Sequence, residues 1–394
     1  MSFEATVDKI VLKRVVRQAM RVVPAFSEST LRSQVLGLTA SGGGLTVEAG
    51  NGTETVSQQV PLVDCGDGDG DVAVPIRLLS RIVTRLPDGL VHLSADTRVF
   101  TISAGSFETT FPHLTDDEAD RPLPPADVRY RATLPASVLS AGFNHLALAL
   151  AHSRAWGAAL TGIELTTAPG LLRFAATDRT QLALVELPGP DNRVPGSAHG
   201  QSLLLSRSAL NAIATLLPTD GQVQLSIGDD QADLSIGPLA LRCRLQNDPY
   251  PDYAPIVNTM TTRRIELSRT KLGAAVERVA ILAGSADAAT VWIELGADEV
   301  RVRATDLEVG EAIETRPAAV TGGSCELGLY LWGLLAIVRR LRGNDLIIEF
   351  GQTAKAITIS TSEHPAFRYH LLPVTTAPPP SRVLAICRAH PDSS

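Results

Sequence analysis

The chain has 394 residues and a formal net charge of -7 at pH 7; 44% of its residues are hydrophobic, and only 4% of all residues are aromatic. This length allows about two to four hydrophobic cores, built mainly from aliphatic side chains. No apolar run of about 18 residues and no basic start leading into an apolar stretch is present, so we expect neither a membrane span nor a secretory signal. The scattered cysteines favour a reducing cytoplasm without a disulfide or zinc site: Cys65, Cys243, Cys325 and Cys387.

One pattern, a helix followed by two strands, occurs three times along the chain. The helices are predicted from apolar triplets at helical spacing, which begin at Leu79, Leu210 and Leu334. The copies are about 125 to 130 residues apart, too long for a solenoid repeat, so the repeated unit is a domain. A further helix with strands precedes each copy. In chain order the predicted helices are 7–22, 76–86, 136–154, 207–217, 269–282 and 330–342.

The repeats predict an α+β fold of three tandem, similar domains, each made of two halves in which a helix packs on a sheet. Proline-rich and acidic stretches mark the boundaries between the domains. We place the domains at 1–125, 126–254 and 255–376. A tail, 377–394, follows the third domain, begins with three prolines at 378–380, and is expected to be disordered.

Basic side chains recur along the predicted helices. On the first helix four of them are spaced four residues apart and so form one stripe, and the second helix repeats the arrangement. A single basic stripe is usually a solvated surface. Because all six predicted helices are positive while the whole chain is acidic, we instead expect one track that contacts DNA phosphates independently of base sequence. The candidate DNA-binding residues are Lys9, Lys13, Arg17, Arg21, Arg77, Arg81, Arg85, Arg207, Arg339 and Arg340.

No constellation of catalytic or cofactor-binding residues is recognisable. Asp67, Asp69 and Asp71 resemble the start of a calcium loop, but the glycine and the closing glutamate of such a loop are missing. His145 and His152 lie seven apart, a spacing better explained by polar positions than by a metal site. The glycines at 42–44 predict a hairpin turn. We therefore expect a protein without catalytic residues, cofactor or metal.

Four segments resemble motifs of the bacterial beta sliding clamps, the processivity factors of DNA polymerase III. Residues 160–163 and 176–182 read LTGI and ATDRTQL, similar to the family's L-N-G-x and A-T-D-G-H-R-L. Residues 250–253, YPDY, resemble F-P-D-Y, and 371–374, LLPV, resemble the terminal V-M-P-M/V. With the threefold repeat, the resemblance covers residues 1 to about 376.

The resemblance implies a head-to-tail homodimer that forms a closed ring around double-stranded DNA, with helices inside and antiparallel sheets outside. Such a clamp tethers the replicative DNA polymerase and other replication and repair proteins, without chemistry of its own. The residues that match the family's ring interface are Phe107, Ile281 and Leu282. An alternative is that Ile281 and Leu282 are ordinary core residues.

The family also has a pocket between its second and third domains, which captures a short linear motif of the polymerase or the clamp loader. By position, the lining in this chain is Leu160, Thr177, Arg179, Thr180, Gln181, Leu182, Pro251, Ile256, His370, Leu372, Pro373 and Val374. Four of these, Leu160, Leu182, Ile256 and Leu372, could equally belong to the core.

Several pocket positions depart from the family pattern. Arg179, Thr180 and Gln181 replace Gly-His-Arg, and two threonines follow Val374 where Arg-Leu is expected. One hypothesis is a specialised second clamp that confers resistance to a clamp-targeting peptide antibiotic. A different class of function is a repeat-built protein-binding scaffold that does not act on DNA.

Overall fold

The computed structural model describes residues 3–23, 34–64, 70–114, 123–151, 157–168, 170–189, 203–246, 248–283, 289–306 and 310–374. The chain divides into two compact units. Unit 1 comprises Met1–Phe143, Thr166–Leu171 and Gly189–Asp248, and unit 2 comprises Asn144–Leu165, Leu172–Pro188 and Pro249–Ser394. The predicted acidic loop at 67–71 and the predicted tail lie largely or wholly outside the described residues.

Unit 1 contains the first nine strands and the first helices. Its helices are α1 (Lys9–Ala19), α2 (Ile76–Arg85) and α4 (Arg207–Leu216), and α3 (Ala136–Leu146) begins in it. Its strands are β1 (Phe3–Asp8), β2 (Val35–Ser41), β3 (Gly44–Gly50), β4 (Glu54–Pro61), β5 (Gly70–Pro75), β6 (Leu90–Ala95), β7 (Val99–Ala104), β8 (Phe107–Pro112), β9 (Tyr130–Pro135), β13 (Leu203–Leu205), β14 (Gln222–Ile227), β15 (Gln231–Ile236) and β16 (Leu239–Arg244).

Unit 2 contains most of the remaining elements. Its helices are α5 (Ala254–Val257), α6 (Arg269–Ala283) and α7 (Leu331–Arg340). Its strands are β10 (Ile163–Ala168, shared with unit 1), β11 (Leu171–Thr177), β12 (Gln181–Pro188), β17 (Arg263–Ser268), β18 (Thr290–Leu295), β19 (Glu299–Asp306), β20 (Gly310–Pro317), β21 (Ala319–Thr321), β22 (Glu326–Tyr330), β23 (Asp345–Phe350), β24 (Ile357–Thr361) and β25 (Phe367–Leu371).

Two helices of unit 1, α1 and α4, begin at side-chain caps and bury one face. The Asp8 carboxylate accepts hydrogen bonds from the amides of Ile10 and Val11 at the start of α1. The Ser206 hydroxyl caps α4 through the amide of Ala209. On α1 the buried positions are Leu12, Val15, Val16 and Ala19, so the stripe of basic residues is left on another face.

Two antiparallel sheets form unit 1. Four strands lie in the order β1-β6-β7-β8, and eight in the order β5-β2-β3-β4-β16-β15-β14-β9. The hairpin between β2 and β3 turns at Gly42 and Gly43, both with positive φ, which confirms the predicted glycine turn. In the larger sheet β4 pairs with β16, so strands about 180 residues apart in sequence share one ladder, with Val56 opposite Leu241.

A buried carboxylate lies beside this β4–β16 pairing. Glu54 is 1% exposed and accepts hydrogen bonds from Asn51 and Thr53 on one oxygen and from Ser206 and Ser208 on the other. Four donors compensate the loss of hydration that burial of a charge entails. The cluster therefore ties the start of β4 to the start of α4.

Unit 2 is built in the same way. Within it, β10, β11, β12, β25, β24, β23, β17 and β21 are hydrogen-bonded in that order, and β20-β19-β18-β22 form a second sheet. The pairing of β12 with β25 places Leu182 opposite His370 and Leu184 opposite Arg368. No helix among the described residues is long and apolar enough to span a membrane.

The predicted helices agree with the observed ones to within a few residues, except for 136–154. Helix α3 ends at Leu146, and a 3₁₀ turn, Ala147–Ala149, follows it. In that turn the Leu148 carbonyl accepts a hydrogen bond from the side-chain amide of Gln181. This tertiary contact has no signature in the local sequence.

Candidate functional site

The first candidate surface is the basic face of α1 in unit 1. A cavity of about 410 Å³ lies along it, lined by Lys9, Ile10, Lys13, Arg14, Arg17, Gln18, Arg21, Asp88, Thr215 and Leu216. Among its described lining residues Asp88 is the one carboxylate, and it accepts a hydrogen bond from Lys9 at 2.8 Å. This hydrogen bond and the charge of Lys9 lower the pKa of Asp88 below its ordinary value. Lys9, Lys13 and Arg17 of α1 thus line one cavity with Arg21, which lies just beyond the end of the helix.

The other candidate DNA-binding residues are in different surroundings. On α2, Arg77 donates to Gln34, whereas Arg81 and Arg85 are exposed. Arg207, at the start of α4, is exposed. In unit 2, Arg339 and Arg340 are exposed at the end of α7, and Arg339 forms a 2.7 Å ion pair with Glu277 of α6.

The second candidate site is a pocket inside unit 2. It lies on one face of the sheet formed by β11, β12, β25 and β24, where the segment 249–257 packs over Ala175, Leu182 and Leu184. The pocket has a volume of about 510 Å³. Its lining residues are Thr177, Arg179, Thr180, Gln181, Leu182, Pro249, Tyr250, Pro251, Asp252, Tyr253, Ile256, His370 and Leu372. We call it the strap pocket.

A tight turn between β11 and β12 forms one edge of the strap pocket. The Asp178 carboxylate accepts from the amide and hydroxyl of Thr180 and from the amide of Gln181, while the Arg179 amide donates to Thr177. These bonds hold Arg179 at φ 74°, in the left-handed region that favours glycine. The family motif has glycine at this position, so the arginine side chain is presented at the pocket edge at a cost in backbone strain.

Two tyrosines of the segment 249–257 close the opposite side. The Tyr250 hydroxyl lies 3.4 Å from the Ala175 carbonyl, to which it donates, and burial raises its pKa. Its ring meets that of Tyr253 edge-on, with centroids 6.3 Å apart. The segment is therefore fixed on the sheet by ring packing and by a hydrogen bond.

His370 lies in the floor of the strap pocket. It is 2% exposed, and its Nδ1 is 3.0 Å from the hydroxyl of Thr358 on the neighbouring strand. Burial lowers its pKa to about 4, so the imidazole is neutral at pH 7. The Nε2 of His145 lies 3.1 Å from the Arg368 carbonyl, and His152 is outside the described residues.

Most of the predicted pocket residues line the strap pocket, with three exceptions. Leu160 is 2% exposed and belongs to the core, as the alternative interpretation allowed. Pro373 and Val374 line an adjacent cavity together with Trp292 and Leu372. The lining residues missing from the prediction are Pro249, Tyr250, Asp252 and Tyr253. Three of these belong to the YPDY motif, of which the prediction included only Pro251.

The predicted interface residues lie at exposed positions. Phe107 begins β8, the edge strand of its sheet, and is 43% exposed. Ile281 is 78% exposed near the end of α6, and Leu282 is partly exposed. The alternative that Ile281 is a core residue is therefore wrong. Exposed apolar side chains of this size at an edge strand and a helix end are available for association.

Comparisons with known families and structures show which proteins share this architecture. The model for the central domain of the DNA polymerase III beta subunit matches residues 133–252, and the model for its C-terminal domain matches residues 256–375. The "Beta sliding clamp" of Caulobacter vibrioides is 24% identical over 387 residues, covering 94% of this chain and 99% of the relative. That of Synechococcus elongatus is 26% identical over 311 residues, covering 77% and 81%.

Solved structures agree over almost the whole chain. The Pseudomonas aeruginosa DnaN sliding clamp bound to griselimycin has a TM-score of 0.81 at 20% identity, covering 95% of this chain and 100% of that one. The Bacillus subtilis DNA polymerase sliding clamp has a TM-score of 0.80 at 19% identity, covering 96% and 100%. The fold is that of the DNA polymerase sliding clamps. The chain belongs to the bacterial beta sliding clamp family, the beta subunits of DNA polymerase III, as the sequence resemblance predicted.

Proposed function

We propose that this chain is a sliding clamp that encircles duplex DNA as a closed homodimer and tethers the replicative polymerase and other replication or repair proteins. Membership of the beta clamp family carries the proposal, and the basic face of α1 supports it. The clamp acts in the cytoplasm by holding its partners together rather than by catalysing a reaction. The resistance and scaffold alternatives are not favoured by these findings.

The DNA contacts are proposed at the exposed basic residues of the helices. Lys13, Arg17 and Arg21 line one cavity of unit 1, where a phosphate backbone would meet several cations at once. Such contacts recognise the negative charge of the phosphates and not the edges of the bases. Binding is therefore independent of the DNA sequence and allows movement along the duplex. We propose that Arg81, Arg85 and Arg207 in unit 1, and Arg339 and Arg340 in unit 2, also contact the DNA backbone.

The homodimer is proposed to close head to tail, so that one surface of each subunit meets a different surface of the other. Phe107 at the β8 edge and Ile281 with Leu282 at the end of α6 supply the apolar contacts. A dimer of 41.7 kDa chains has a mass of about 83 kDa. The three-domain division at 1–125, 126–254 and 255–376 is part of this proposal.

The strap pocket is proposed to capture a short peptide segment of a partner, including the polymerase and the clamp loader. The pocket is concave, has apolar walls at Leu182, Ile256 and Leu372, and carries a few polar groups at its edge. This combination is typical of sites that bind a short linear motif.

Retention on circular DNA tests the function. We expect the clamp, loaded onto a nicked circular plasmid by a clamp loader with ATP, to co-elute with the plasmid in gel filtration. Cutting the circle once should release it, because a ring slides off a free end. The matched control is Ile281→Asp, which removes an exposed apolar contact without touching the core and should be monomeric and not retained. Equal retention on circular and linear DNA would contradict encirclement.

A further inference from the structure

The last described residues of the chain lie at the strap pocket. Leu372 lines this pocket and also the adjacent cavity of about 600 Å³, whose lining continues along the chain to Val374. The Leu372 amide donates to the Thr180 carbonyl at 3.3 Å, and the Val374 amide donates to the Gly328 carbonyl at 2.8 Å. These two hydrogen bonds fix the point from which residues 375–394 continue, directly beside both cavities.

The strap pocket presents apolar side chains that solvent can reach. Leu372 is 38% exposed, and Ile256 in the pocket wall is partly exposed. At the pocket edge Arg179 and Thr180 are exposed as well. Accessible apolar surface in a concave site favours an apolar occupant, because the contact removes that surface from water.

The chain beyond Val374 contains one continuous apolar segment. After three prolines at 378–380, residues 383–387 read VLAIC, with Arg382 before them and Arg388 after them. The other residues of 375–394 are alanine, proline or polar. The segment 383–387, which we call the tail segment, is therefore the part of the tail that gains most from burial.

The spacer between the fold and the tail segment is long enough for the segment to return to the strap pocket. Eight residues, 375–382, span up to about 26 Å when extended, and the pocket begins at Leu372, two residues before Val374. The three prolines restrict the spacer and so reduce the entropy lost on docking. A segment on a short tether has an effective concentration of about 1 mM at its site. A weak intrinsic affinity is then sufficient to keep the pocket covered most of the time.

We propose that the tail segment docks in the strap pocket of its own chain, and that a partner peptide binds by displacing it. The segment lowers the apparent affinity of every partner by the same factor, so that partners with weak motifs are excluded and those with strong motifs still bind. This inference rests on the proposed capture of partner peptides at the same pocket.

Binding of a synthetic tail peptide to the full-length protein tests the inference. The probe is a fluorescein-labelled peptide of residues 381–389 that carries Cys387→Ser to prevent oxidation. Its anisotropy is measured with wild type and with the tail variant, Leu384→Asp with Ile386→Asp, which keeps the length of the tail but removes two apolar anchors. We expect the tail variant to bind the probe about tenfold more tightly than wild type, because its own tail no longer competes.

Two further variants assign the effect to the tail segment and to the strap pocket. Ala377→Asp with Ala389→Asp adds the same two charges to the tail outside the segment, and should bind the probe as weakly as wild type does. Leu372→Asp, added to the tail variant, places a charge on the exposed apolar wall and should weaken probe binding more than tenfold.

Equal probe affinities of wild type and the tail variant would overturn the inference, and so would the absence of probe binding to both. The changes that decide it lie beyond Val374, so they leave the described fold intact. Co-elution with the replicative polymerase in gel filtration separates this failure from that of peptide capture. If the polymerase co-elutes with the tail variant and Leu372→Asp abolishes this, peptide capture stands without the tail. If the polymerase co-elutes with neither wild type nor the tail variant, peptide capture fails as well.

Discussion

The helices of both units are positively charged, but the two units differ in how that charge is paired. On α1 the described residues place one carboxylate, Asp88, in the basic cavity, and it pairs with Lys9 alone. In unit 2 several arginines of the helices are bonded within the protein: Arg278 to Glu314 at 2.6 Å, and Arg339 to Glu277 at 2.7 Å. Arg269 donates to the carbonyls of Gly343 and Val338.

The difference shows that counting charges on a helix does not locate a basic surface. A cation without a nearby carboxylate makes the electrostatic potential around it more positive, whereas the two opposite charges of an exposed ion pair largely cancel. We therefore expect the basic cavity of unit 1 to contribute more to binding of a polyanion than the helices of unit 2.

The largest expected effect is on DNA affinity. Reversing three charges of α1, as Lys13→Glu, Arg17→Glu and Arg21→Glu together, should weaken duplex binding more than about 100-fold at moderate salt, since several phosphate contacts are lost at once. Fluorescence anisotropy with a labelled duplex measures it. The matched change in unit 2, Arg278→Gln with Arg339→Gln, should weaken binding by less than about threefold. Equal losses from both units would refute the comparison.

A fall in pH should reduce the folding stability of unit 2 in particular. Burial lowers the pKa of both His145 and His370 to about 4, whereas an unfolded histidine titrates at about 6.5. Because the pKa of these histidines is lower in the folded than in the unfolded protein, the folded state has its full stability above about pH 6.5. This stability is lost as the pH falls toward 4. At pH 5 each histidine should cost about 2 kcal/mol relative to pH 7.5.

Tryptophan fluorescence can follow this loss, because two of the three tryptophans, Trp292 and Trp332, belong to unit 2. The midpoint of urea unfolding should fall between pH 7.5 and pH 5. In His370→Gln, which has one titrating group fewer, the fall should be about half as large. A variant with an unchanged pH dependence would show that His370 does not titrate as the structure requires.

A smaller effect is expected at the turn that edges the strap pocket. Arg179→Gly should stabilise the protein by about 0.5 to 1 kcal/mol, because glycine adopts the left-handed backbone without strain. Arg179→Ala is the matched control: it removes the same side chain but keeps the strain, and should not stabilise. Thermal unfolding compares the two. Equal stabilities would mean that the backbone at Arg179 carries no strain.

The smallest effect concerns a cation that is now paired. Glu277→Gln should free Arg339 and raise duplex affinity by about threefold, because one more cation becomes available to a phosphate. The control, Glu299→Gln, removes the same charge from a strand where Glu299 pairs with Arg301, and should leave the affinity unchanged. An equal gain in duplex affinity from both variants would show that the effect comes from the change in net charge alone.

Much of the fold could be predicted from the sequence because it depends on local periodicity. The apolar triplets beginning at Leu79, Leu210 and Leu334 lie on α2, α4 and α7, and the glycine turn joins β2 to β3. These signals arise within a few residues. Most of the strap pocket also followed from the resemblance, since its turn and strand motifs are contiguous in sequence.

The remaining features depend on contacts between residues distant in sequence. Glu314 neutralises Arg278 from 36 positions away, so no count of charges along α6 could reveal it. The turn after α3 is hydrogen-bonded to Gln181, and the buried Glu54 depends on Ser206 and Ser208. The left-handed backbone of Arg179 could not be predicted either, because an arginine, unlike a glycine, does not indicate a positive φ.

The β4–β16 pairing and the Glu54 cluster have a consequence for synthesis on the ribosome. When the first 125 residues have emerged, β4 still presents an open edge and Glu54 lacks two of its donors, which lie 152 and 154 residues further on. Open strand edges promote aggregation of nascent chains. The N-terminal part must therefore wait for translation to pass Arg244, and slow translation across that interval should increase its dependence on chaperones.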